Sequence, residues 1–428
     1  MSGDDDAPVP GAYPFLVLLT LLNVMNFVDR QLLASFSNFI IPELGLTDGE
    51  FGLLTGLIFI IFYAAMGLFT GALADRVHRP RLVAAGLLLW SVLTAASGAA
   101  RGFISLAIPR MFIGVGESVL TPASMSMLAD RFPAKRLGFA SGFYYMGVPI
   151  GVGVSLIIAG NLGPLIGWRN CFYVLGAIGV AFAGLMFFVK ETPRRETVAV
   201  AAQRASGERP KLLPQLVGAL KTYPSLGLTI AGGVALHFIL GAAAFDQRWY
   251  AVERGFDAAW IANVSGWIFV VFGVGGNLFG GWASDAFQRV TGQGRPMFLF
   301  WVMLVLFPVN IVYRLVPGDS IWFWIGIAAG AFQLGTFYGP TFSTVQELAP
   351  ARARATVVAF YILCLNLIGL GIGVTAAGFT IDWMRAEGWP EPYSATLLSF
   401  TLLSGLAIPL FLLAGLRFTK DKARLAVV

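Results

Sequence analysis

Charged residues are scarce in this chain of 428 residues. Only 12% of its residues are charged, whereas 57% are hydrophobic and the mean hydropathy is +0.76. A soluble domain carries about 25% charged residues. Half that fraction, over a chain of this length, excludes a soluble globular protein and indicates a membrane protein with many spans.

Cysteine, histidine and enzyme motifs are also scarce or missing. Cys171 and Cys364 both lie in apolar segments, where a free cysteine behaves as a small hydrophobic side chain. His78 and His237 are far apart in the sequence and cannot form a zinc site alone. The chain has no Gly-x-Ser-x-Gly motif, no catalytic His/Asp spacing and no nucleotide-binding loop. We therefore expect neither an enzyme nor ATP-driven transport, and no metal or organic cofactor.

Long apolar segments make up most of the chain. A membrane-spanning helix needs about 20 mainly apolar residues. The N-terminus carries Asp4, Asp5 and Asp6 in place of a basic region, so no cleavable signal peptide is predicted. Twelve spans are predicted, at residues 14–36, 51–73, 82–100, 103–128, 137–160, 168–189, 225–249, 258–284, 297–315, 321–346, 354–380 and 394–417.

The basic residues between the predicted spans fall on one side of the membrane. Arg76, Arg131 and Arg289 follow spans 2, 4 and 8, whereas Glu43 and Asp48 lie in the first loop on the other side. Short loops rich in Lys and Arg stay in the cytoplasm, which places both termini there. These loops account for the net charge of +6, so no nucleic-acid partner is expected. We expect a monomer in the plasma membrane, or in the inner membrane of a bacterium.

A polar linker divides the spans into two sets of six. Within it, Leu212, Leu216 and Leu220 recur at helical spacing, which indicates a short amphipathic helix at the inner surface or an extension of span 7. The predicted organisation is an N-terminal tail (1–13), an N-terminal bundle (14–189), the linker (190–224), a C-terminal bundle (225–418) and a C-terminal tail (419–428).

The two halves show weak internal repetition. Residues 71–75 close span 2 with a turn sequence like that of residues 281–285 after span 8, and Asp130 and Glu347 hold equivalent positions after spans 4 and 10. Such repeats are common in transporters. They predict an all-α fold of two six-helix bundles with pseudo-two-fold symmetry.

The loop after span 2 reads Gly71-Ala72-Leu73-Ala74-Asp75-Arg76-Val77-His78-Arg79-Pro80-Arg81. It resembles the major facilitator superfamily motif Gly-x-x-x-Asp-Arg/Lys-x-Gly-Arg/Lys-Arg/Lys, with His78 at the second glycine and Pro80 within the basic run. These departures predict a rearranged turn. The resemblance implies that the motif's Asp fastens spans 2 and 11 at the cytoplasmic face in the outward-open state. The implied gating residues are Gly71, Asp75, Arg76 and Arg79.

Three further stretches narrow the resemblance. They are Asn26-x-x-Asp29-Arg30 in span 1, Arg110-x-x-x-Gly114-x-Gly116-Glu117 in span 4 and Lys190-Glu191-Thr192-Pro193-Arg194 after span 6. The set resembles the Spinster branch of the superfamily, which carries lysolipids and sphingosine phosphates. Organic-anion symporters share a similar Asp-Arg pair in span 1, so a small organic anion is the alternative substrate.

Asp29 and Arg30 lie inside span 1, where a charged side chain costs about 2.5–3.5 kcal/mol. Asp29 lies roughly 22 Å from the inner end of its helix, in a core about 30 Å thick. Arg110 lies roughly 10 Å from the outer end of span 4. The two depths agree and permit an Asp29–Arg110 ion pair, and Glu117 follows two turns deeper on the same face.

These four charges predict a proton-coupled switch. If an arginine leaves its carboxylate for a substrate phosphate, the unpaired carboxylate takes up a proton. Arg30 and Arg110 are the candidate headgroup ligands, because guanidinium binds phosphate through two hydrogen bonds, and Asp29 and Glu117 are the candidate proton carriers. A static, self-neutralising network that joins spans 1 and 4 is the alternative.

Further side chains near the predicted centre could line a cavity. Span 5 combines Tyr144 and Tyr145 with Pro149 and several glycines, which fits a bendable gate but fits ordinary small-residue packing better. The C-terminal spans hold few internal charges, so they are expected to supply surface for an acyl chain. The candidate cavity residues are Asn26, Tyr144, Tyr145, Phe238, Phe337 and Tyr338.

The sequence therefore predicts a proton-coupled secondary active transporter of an amphipathic anionic lipid, of the lysophospholipid or sphingosine-phosphate type. It would work by alternating access within the bilayer. A small organic acid on the same fold would require more basic or hydrogen-bonding groups than spans 7–11 offer. A channel or receptor is disfavoured by the repeat and by the motif at 71–75.

Overall fold

A computed structural model of the protein describes residues 8–74, 76–194, 212–350 and 354–425. Every regular element within these ranges is a helix. Helices are expected because a backbone in lipid must satisfy its own N–H and C=O groups. Twelve helices in the described ranges are long and apolar enough to cross a membrane. The prediction of an all-α protein with twelve spans is therefore confirmed.

Several spans consist of more than one helix, because local breaks interrupt them. Spans 1 to 6 are formed by Ala12–Ser35 (followed by the short helix Ser37–Leu44), Asp48–Thr55 with Leu57–Ala74, Arg79–Gly98, Phe103–Glu117 with Leu120–Arg131, Ala134–Tyr145 with Gly147–Asn161, and Gly163–Phe187. Spans 7 to 12 are formed by Pro224–Ala242 with Ala243–Phe245 and Asp246–Val252, Ala258–Ile268 with Phe269–Gly273 and Val274–Thr291, Arg295–Leu315, Ile321–Leu348, Arg354–Leu363 with Cys364–Ile372 and Gly373–Ala386, and Pro392–Ser404 with Ala407–Leu425.

The described part of the linker contains a separate helix, Leu212–Thr222. Tyr223 has a non-helical backbone (φ −120°, ψ 78°), and Pro224 begins span 7. A proline disfavours helical backbone at the residue before it. The break therefore separates this helix from span 7, and its position at a membrane surface remains a prediction.

The two bundles meet along two helix pairs, span 5 with span 8 and span 2 with span 11. Glycines permit this close approach. A Cβ added at Gly266 would lie 2.7 Å from the carbonyl oxygen of Gly153, and one added at Gly52 would lie 2.7 Å from that of Val374. Spans 2 and 8, and spans 5 and 11, hold equivalent positions in the two halves, as a duplicated unit requires.

Each bundle carries an arginine-centred ion network at one end of the molecule, which we call the basic face. In the N-terminal bundle, Arg79 contacts Asp130 at 2.5 Å and Glu191 at 2.9 Å. In the C-terminal bundle, Arg295 contacts Glu347 at 2.6 Å. Arg79 and Arg295 begin the equivalent spans 3 and 9, so the networks repeat with the helices.

At the opposite end, which we call the acidic face, polar contacts join the two bundles. Buried Asp48 of span 2 accepts hydrogen bonds from Arg385 at 2.6 Å and from the Tyr393 hydroxyl at 2.9 Å. The backbone N–H of Gly49 donates to Asp382 at 2.7 Å. The hydrogen bonds that join described residues of the two bundles lie toward this face, which is therefore closed.

Candidate functional site

Four charged side chains lie inside the N-terminal bundle, on spans 1 and 4. Asp29, Arg110 and Glu117 are buried, and Arg30 keeps 16% of its side chain exposed. The fold thus brings together the four residues that the sequence singles out as proton carriers and headgroup ligands. With two arginines and two carboxylates, the cluster is neutral when all four are ionised.

The direct ion pair in this cluster joins Arg30 to Glu117. Nε and Nη2 of Arg30 donate to the same carboxylate oxygen, Oε2 of Glu117, at 3.1 and 3.0 Å. The Asp29–Arg110 ion pair that the matching depths permit is not formed. Equal depth does not fix the direction of a side chain, and Asp29 is directed toward span 3 instead.

Asp29 is held by span 3. The Thr94 hydroxyl lies 2.6 Å from Oδ2 of Asp29 and can donate to it, and it also lies 2.9 Å from the Trp90 carbonyl oxygen. A small cavity of about 10 Å³, lined in part by Asp29, Ser91 and Thr94, adjoins the carboxylate. That volume is close to the minimum for one water molecule among polar partners. The Asp29 carboxylate therefore adjoins a space no larger than one water molecule.

Arg110 has no direct carboxylate partner within the described residues. Its Nε donates weakly to the Leu54 carbonyl at 3.5 Å, and its guanidinium stacks over the Phe59 ring at 4.9 Å. Its charge acts on both Asp29 and Glu117 from a longer distance. Arg110 therefore balances the charge of the cluster rather than pairing with one acid.

A break in span 4 presents Glu117 to the cluster. The helix Phe103–Glu117 ends there, and the next helix begins at Leu120. Pro122 has no N–H to donate to the Ser118 carbonyl, and the Thr70 hydroxyl of span 2 lies 3.2 Å from that carbonyl instead. Oε1 of Glu117 is buried and forms no hydrogen bond of normal geometry in the described structure, although the Asn26 side chain lies near the carboxylate.

Gly114 and Gly116 allow neighbouring helices to approach span 4. A Cβ at Gly114 would lie 2.7 Å from the Phe59 carbonyl oxygen of span 2, and one at Gly116 would lie 2.8 Å from the Gly86 carbonyl oxygen of span 3. Spans 2 and 3 therefore occupy the space beside these two glycines.

Aromatic rings surround the Arg30 guanidinium. It lies 5.1 Å from the ring centre of Phe27, 5.0 Å from that of Phe59 and 4.6 Å from that of Tyr63. Such contacts stabilise a cation in an apolar setting. The site therefore presents one partly exposed positive charge within an otherwise apolar wall.

The predicted cavity residues of the N-terminal bundle have different surroundings. Asn26 is buried, and its Nδ2 makes no hydrogen bond in the described structure. Tyr144 is fully buried, and its carbonyl accepts from Asn23 at 2.9 Å. Tyr145 is only half-buried and stacks on Phe342 of span 10 at 5.9 Å. Tyr145 thus faces the C-terminal bundle, while Tyr144 belongs to the packing of its own bundle.

The predicted cavity residues of the C-terminal bundle are likewise divided. Phe337 is buried between span 7 and span 12, 5.1 Å from the His237 ring and 6.5 Å from the Phe411 ring. Tyr338 is half-buried, and its hydroxyl lies 3.3 Å from Nε2 of His237. Phe238 lies on the other side of span 7, in an apolar groove beside span 11.

The expectation of an apolar C-terminal half is incomplete. His237 and Tyr338 form a polar pair, and Arg314 contacts Asp246 at 2.7 Å inside this bundle. Arg314, which ends span 9, is a functional-site candidate that the sequence alone does not indicate. A basic residue at the end of an apolar run gives no signal that distinguishes a buried ion pair from a charge in solvent.

The described residues of the motif after span 2 lie at the basic face. Gly71 is in the helix Leu57–Ala74, Arg76 is exposed after it, and Asp75 lies outside the described residues. Arg79 is buried in the ion network of its own bundle.

The two departures from the motif fit the start of span 3. Nδ1 of His78 accepts from the Arg81 N–H at 3.3 Å and caps the helix, and Pro80 occupies the first turn. Proline is well suited to that position, because the first helical N–H groups have no partner within the helix.

The chain matches the family model of the Major Facilitator Superfamily over residues 19–374. It is 26% identical to an MFS-type efflux pump of Mycolicibacterium smegmatis, covering 96% of this chain and 94% of that protein. It is 26% identical to the hexuronate transporter of Bacillus subtilis, covering 86% and 88%. It is 29% identical to protein spinster homolog 1 of Mus musculus, covering 91% and 76%.

A solved structure supports the same fold. The chain superposes on a bacterial homolog of the human lysosomal transporter Spinster, in an inward-facing and unoccupied conformation, with a TM-score of 0.80. The match covers 97% of this chain and 99% of that chain at 23% identity.

Proposed function

Because the chain belongs to the Major Facilitator Superfamily and resembles Spinster proteins, we propose that it couples protons to the transport of an amphipathic anionic lipid. The observation that carries the proposal is Arg30, a partly exposed arginine ringed by aromatic side chains and paired with buried Glu117. A lysophospholipid or a sphingosine phosphate has the matching shape, with a compact anion attached to an apolar chain.

Proton coupling would follow from the charge balance of the cluster. Asp29, Arg30, Arg110 and Glu117 sum to zero, so an added anion leaves one uncompensated negative charge. If the anion takes the Arg30 guanidinium from Glu117, the buried carboxylate loses its partner, and an unpaired buried charge is costly. Uptake of one proton restores neutrality. Glu117 is the first candidate to take up this proton, because its Oε1 forms no hydrogen bond of normal geometry in the described structure.

An apolar groove of about 430 Å³ gives further support for a lipid substrate. It lies between spans 7 and 11 and is lined by Ile230, Val234, Phe238, Phe360 and Ile368, among others. Its purely apolar side chains suit an acyl chain, and it lies on the side of span 7 that is turned away from His237 and Tyr338. It also reaches Leu220 of the helix Leu212–Thr222, which we propose lies at the inner membrane surface.

Alternating access would use the two faces in turn. The acidic face is closed by Asp48, Asp382, Arg385 and Tyr393, and we propose that this face is extracytoplasmic and that both termini are cytoplasmic. All four charged residues of the site belong to one bundle, so a monomer suffices. Arg76, and Asp75 by the motif's pattern, remain the proposed gating residues at the basic face.

A small organic anion is the second candidate substrate. The hexuronate transporter is similar over most of the chain, and the His237–Tyr338 pair supplies hydrogen-bonding groups in the C-terminal bundle. Uptake by proteoliposomes with an imposed pH gradient tests both candidates. We expect lysophospholipid or sphingosine phosphate to accumulate when the gradient is present, and a hexuronate to remain at background. Accumulation of the hexuronate alone would replace the lipid proposal, and transport unaffected by the gradient would remove proton coupling.

A further inference from the structure

His237 makes two hydrogen bonds inside the C-terminal bundle. Nδ1 lies 2.8 Å from the Gly233 carbonyl oxygen, and Nε2 lies 3.3 Å from the Tyr338 hydroxyl. The residue is buried, and the Phe337 and Tyr338 rings pack against it. The imidazole is therefore fixed in position by span 7 on one side and by span 10 on the other.

The Gly233 carbonyl determines which nitrogen carries the proton. A carbonyl oxygen only accepts, so Nδ1 must donate, and the other nitrogen of a neutral imidazole is an acceptor. Within the described ranges no carboxylate contacts the ring, so the neutral form is expected in this apolar setting. Nε2 then accepts the single hydroxyl proton of Tyr338. The Tyr338 oxygen can then accept a further hydrogen bond through its lone pairs, but it has no second proton to donate.

Tyr338 is placed to meet a ligand held by Arg30. Its side chain is half-buried, and its ring lies 6.5 Å from Phe342, which stacks on Tyr145 of the N-terminal bundle. Arg30, on span 1, is likewise only partly buried. The two bundles that meet at the Tyr145–Phe342 contact therefore offer a partly exposed donor and a partly exposed acceptor.

We propose that Tyr338, oriented by His237, is a hydrogen-bond acceptor that recognises a hydroxyl or ammonium group beside the anion bound by Arg30. This proposal rests on the proposed function and specifies its substrate class. The ligand must carry an anion and, close to it, a hydrogen-bond donor. The free hydroxyl of a lysophospholipid and the amine of a sphingosine phosphate meet this requirement, and so do the hydroxyls of a hexuronate. An alkyl phosphate without a hydroxyl does not.

Binding of two matched lipids to the purified full chain in nanodiscs tests this assignment. The first is 1-acyl-glycerol-3-phosphate, which has a free hydroxyl, and the second is its 2-deoxy analogue, which lacks it. We expect the native protein to prefer the first about tenfold, the value of one hydrogen bond. The variant Tyr338→Phe should bind both equally. His237→Phe should reduce the preference, because the Tyr338 hydroxyl is then no longer held in one orientation by the His237 ring.

Tyr361→Phe is the matched control, because the Tyr361 hydroxyl donates to Thr341 at 2.7 Å and is buried in the same aromatic cluster. It should keep the tenfold preference. Binding of glucuronate and its deoxy analogues, measured in the same way, shows whether the site takes a small anion with the same donor group in place of a lipid. A preference that is absent in the native protein, or unchanged in Tyr338→Phe, overturns the assignment. If Arg30→Gln instead binds both lipids as tightly as the native protein does, the proposed function is refuted.

Discussion

Replacing Glu117 by glutamine tests the proposed exchange of an anion for a carboxylate at Arg30. Glutamine has nearly the same shape and keeps an oxygen that can accept from the guanidinium, but it carries no charge and takes up no proton. We expect Glu117→Gln to bind an anionic lysolipid more tightly than the native protein at mildly alkaline pH. The reason is that the anion no longer competes with a carboxylate for Arg30.

The size of the effect follows from the two hydrogen bonds at 3.1 and 3.0 Å between Arg30 and Glu117. Hydrogen bonds to an ionised partner contribute about 1.5–3 kcal/mol each, roughly twice the value for neutral partners. Removing the charge while keeping an acceptor therefore weakens the competitor by about 1.5 kcal/mol or more. This corresponds to a gain in anion affinity of roughly tenfold.

The sign of the pH dependence follows from the same exchange. Protonation of Glu117 favours anion binding, so the affinity of the native protein should rise as the pH falls and approach that of the variant. The affinity of Glu117→Gln should stay constant over that range. Lysophosphatidylglycerol is a suitable ligand, because its phosphodiester stays singly charged. Titration of the protein in nanodiscs at several pH values measures both effects.

Asp246→Asn is the matched control, because Asp246 also pairs with a buried arginine, Arg314 at 2.7 Å, but away from the cluster. It should keep the native pH dependence of binding. The reasoning is refuted if Glu117→Gln binds the anion no more tightly than the native protein and retains its pH dependence. Asp29 would then be the residue to examine as the main proton carrier.

Three further predictions concern the faces and the packing of the bundles. Asp48→Asn should loosen the acidic face, so that a maleimide labels a cysteine at buried Thr375 several times faster. Arg79→Ala should lower the free energy of unfolding by about 3–5 kcal/mol, seen as a lower melting temperature, because it removes the buried arginine that Asp130 and Glu191 share. Gly114→Ala should cost about 1–3 kcal/mol, because its methyl group would lie 2.7 Å from the Phe59 carbonyl oxygen.

Each of these changes has a control elsewhere in the chain. Glu391→Gln removes an exposed partner of Arg254 and should leave the labelling rate unchanged. Arg295→Ala should destabilise the protein less than Arg79→Ala, because Arg295 is more exposed. Gly138→Ala should have little effect, since nothing lies within 4 Å of the added Cβ. Equal effects in a variant and its control would contradict the corresponding explanation.

The number of spans and the positions of the charged residues could be predicted from the sequence, because both depend on local composition. Twelve apolar segments of spanning length give twelve helices. The observed helices differ from the predicted spans at positions where hydropathy carries no information. The last helix continues to Leu425, beyond the apolar segment, because basic residues such as Lys422 are favourable near a helix C-terminus in water.

The partners within the site could not be predicted in the same way. Depth along a helix indicates that Asp29 and Arg110 lie at a similar level, but their directions depend on how spans 1, 3 and 4 are rotated against each other. Thr94 accounts for the direction of Asp29, and an uncharged threonine in an apolar span gives no signal of that role. The His237–Tyr338 pair joins residues 101 positions apart, which only the packing of spans 7 and 10 brings together.

In the proposed exchange, an anion takes Arg30 from Glu117 and a proton is taken up with it. Calorimetric titration of the protein with lysophosphatidylglycerol, in buffers of different ionisation enthalpy, counts the protons bound with each ligand. We expect uptake of about one proton per anion in the native protein at mildly alkaline pH, and none in Glu117→Gln. Anion binding without proton uptake in the native protein, or equal uptake in both proteins, would contradict it.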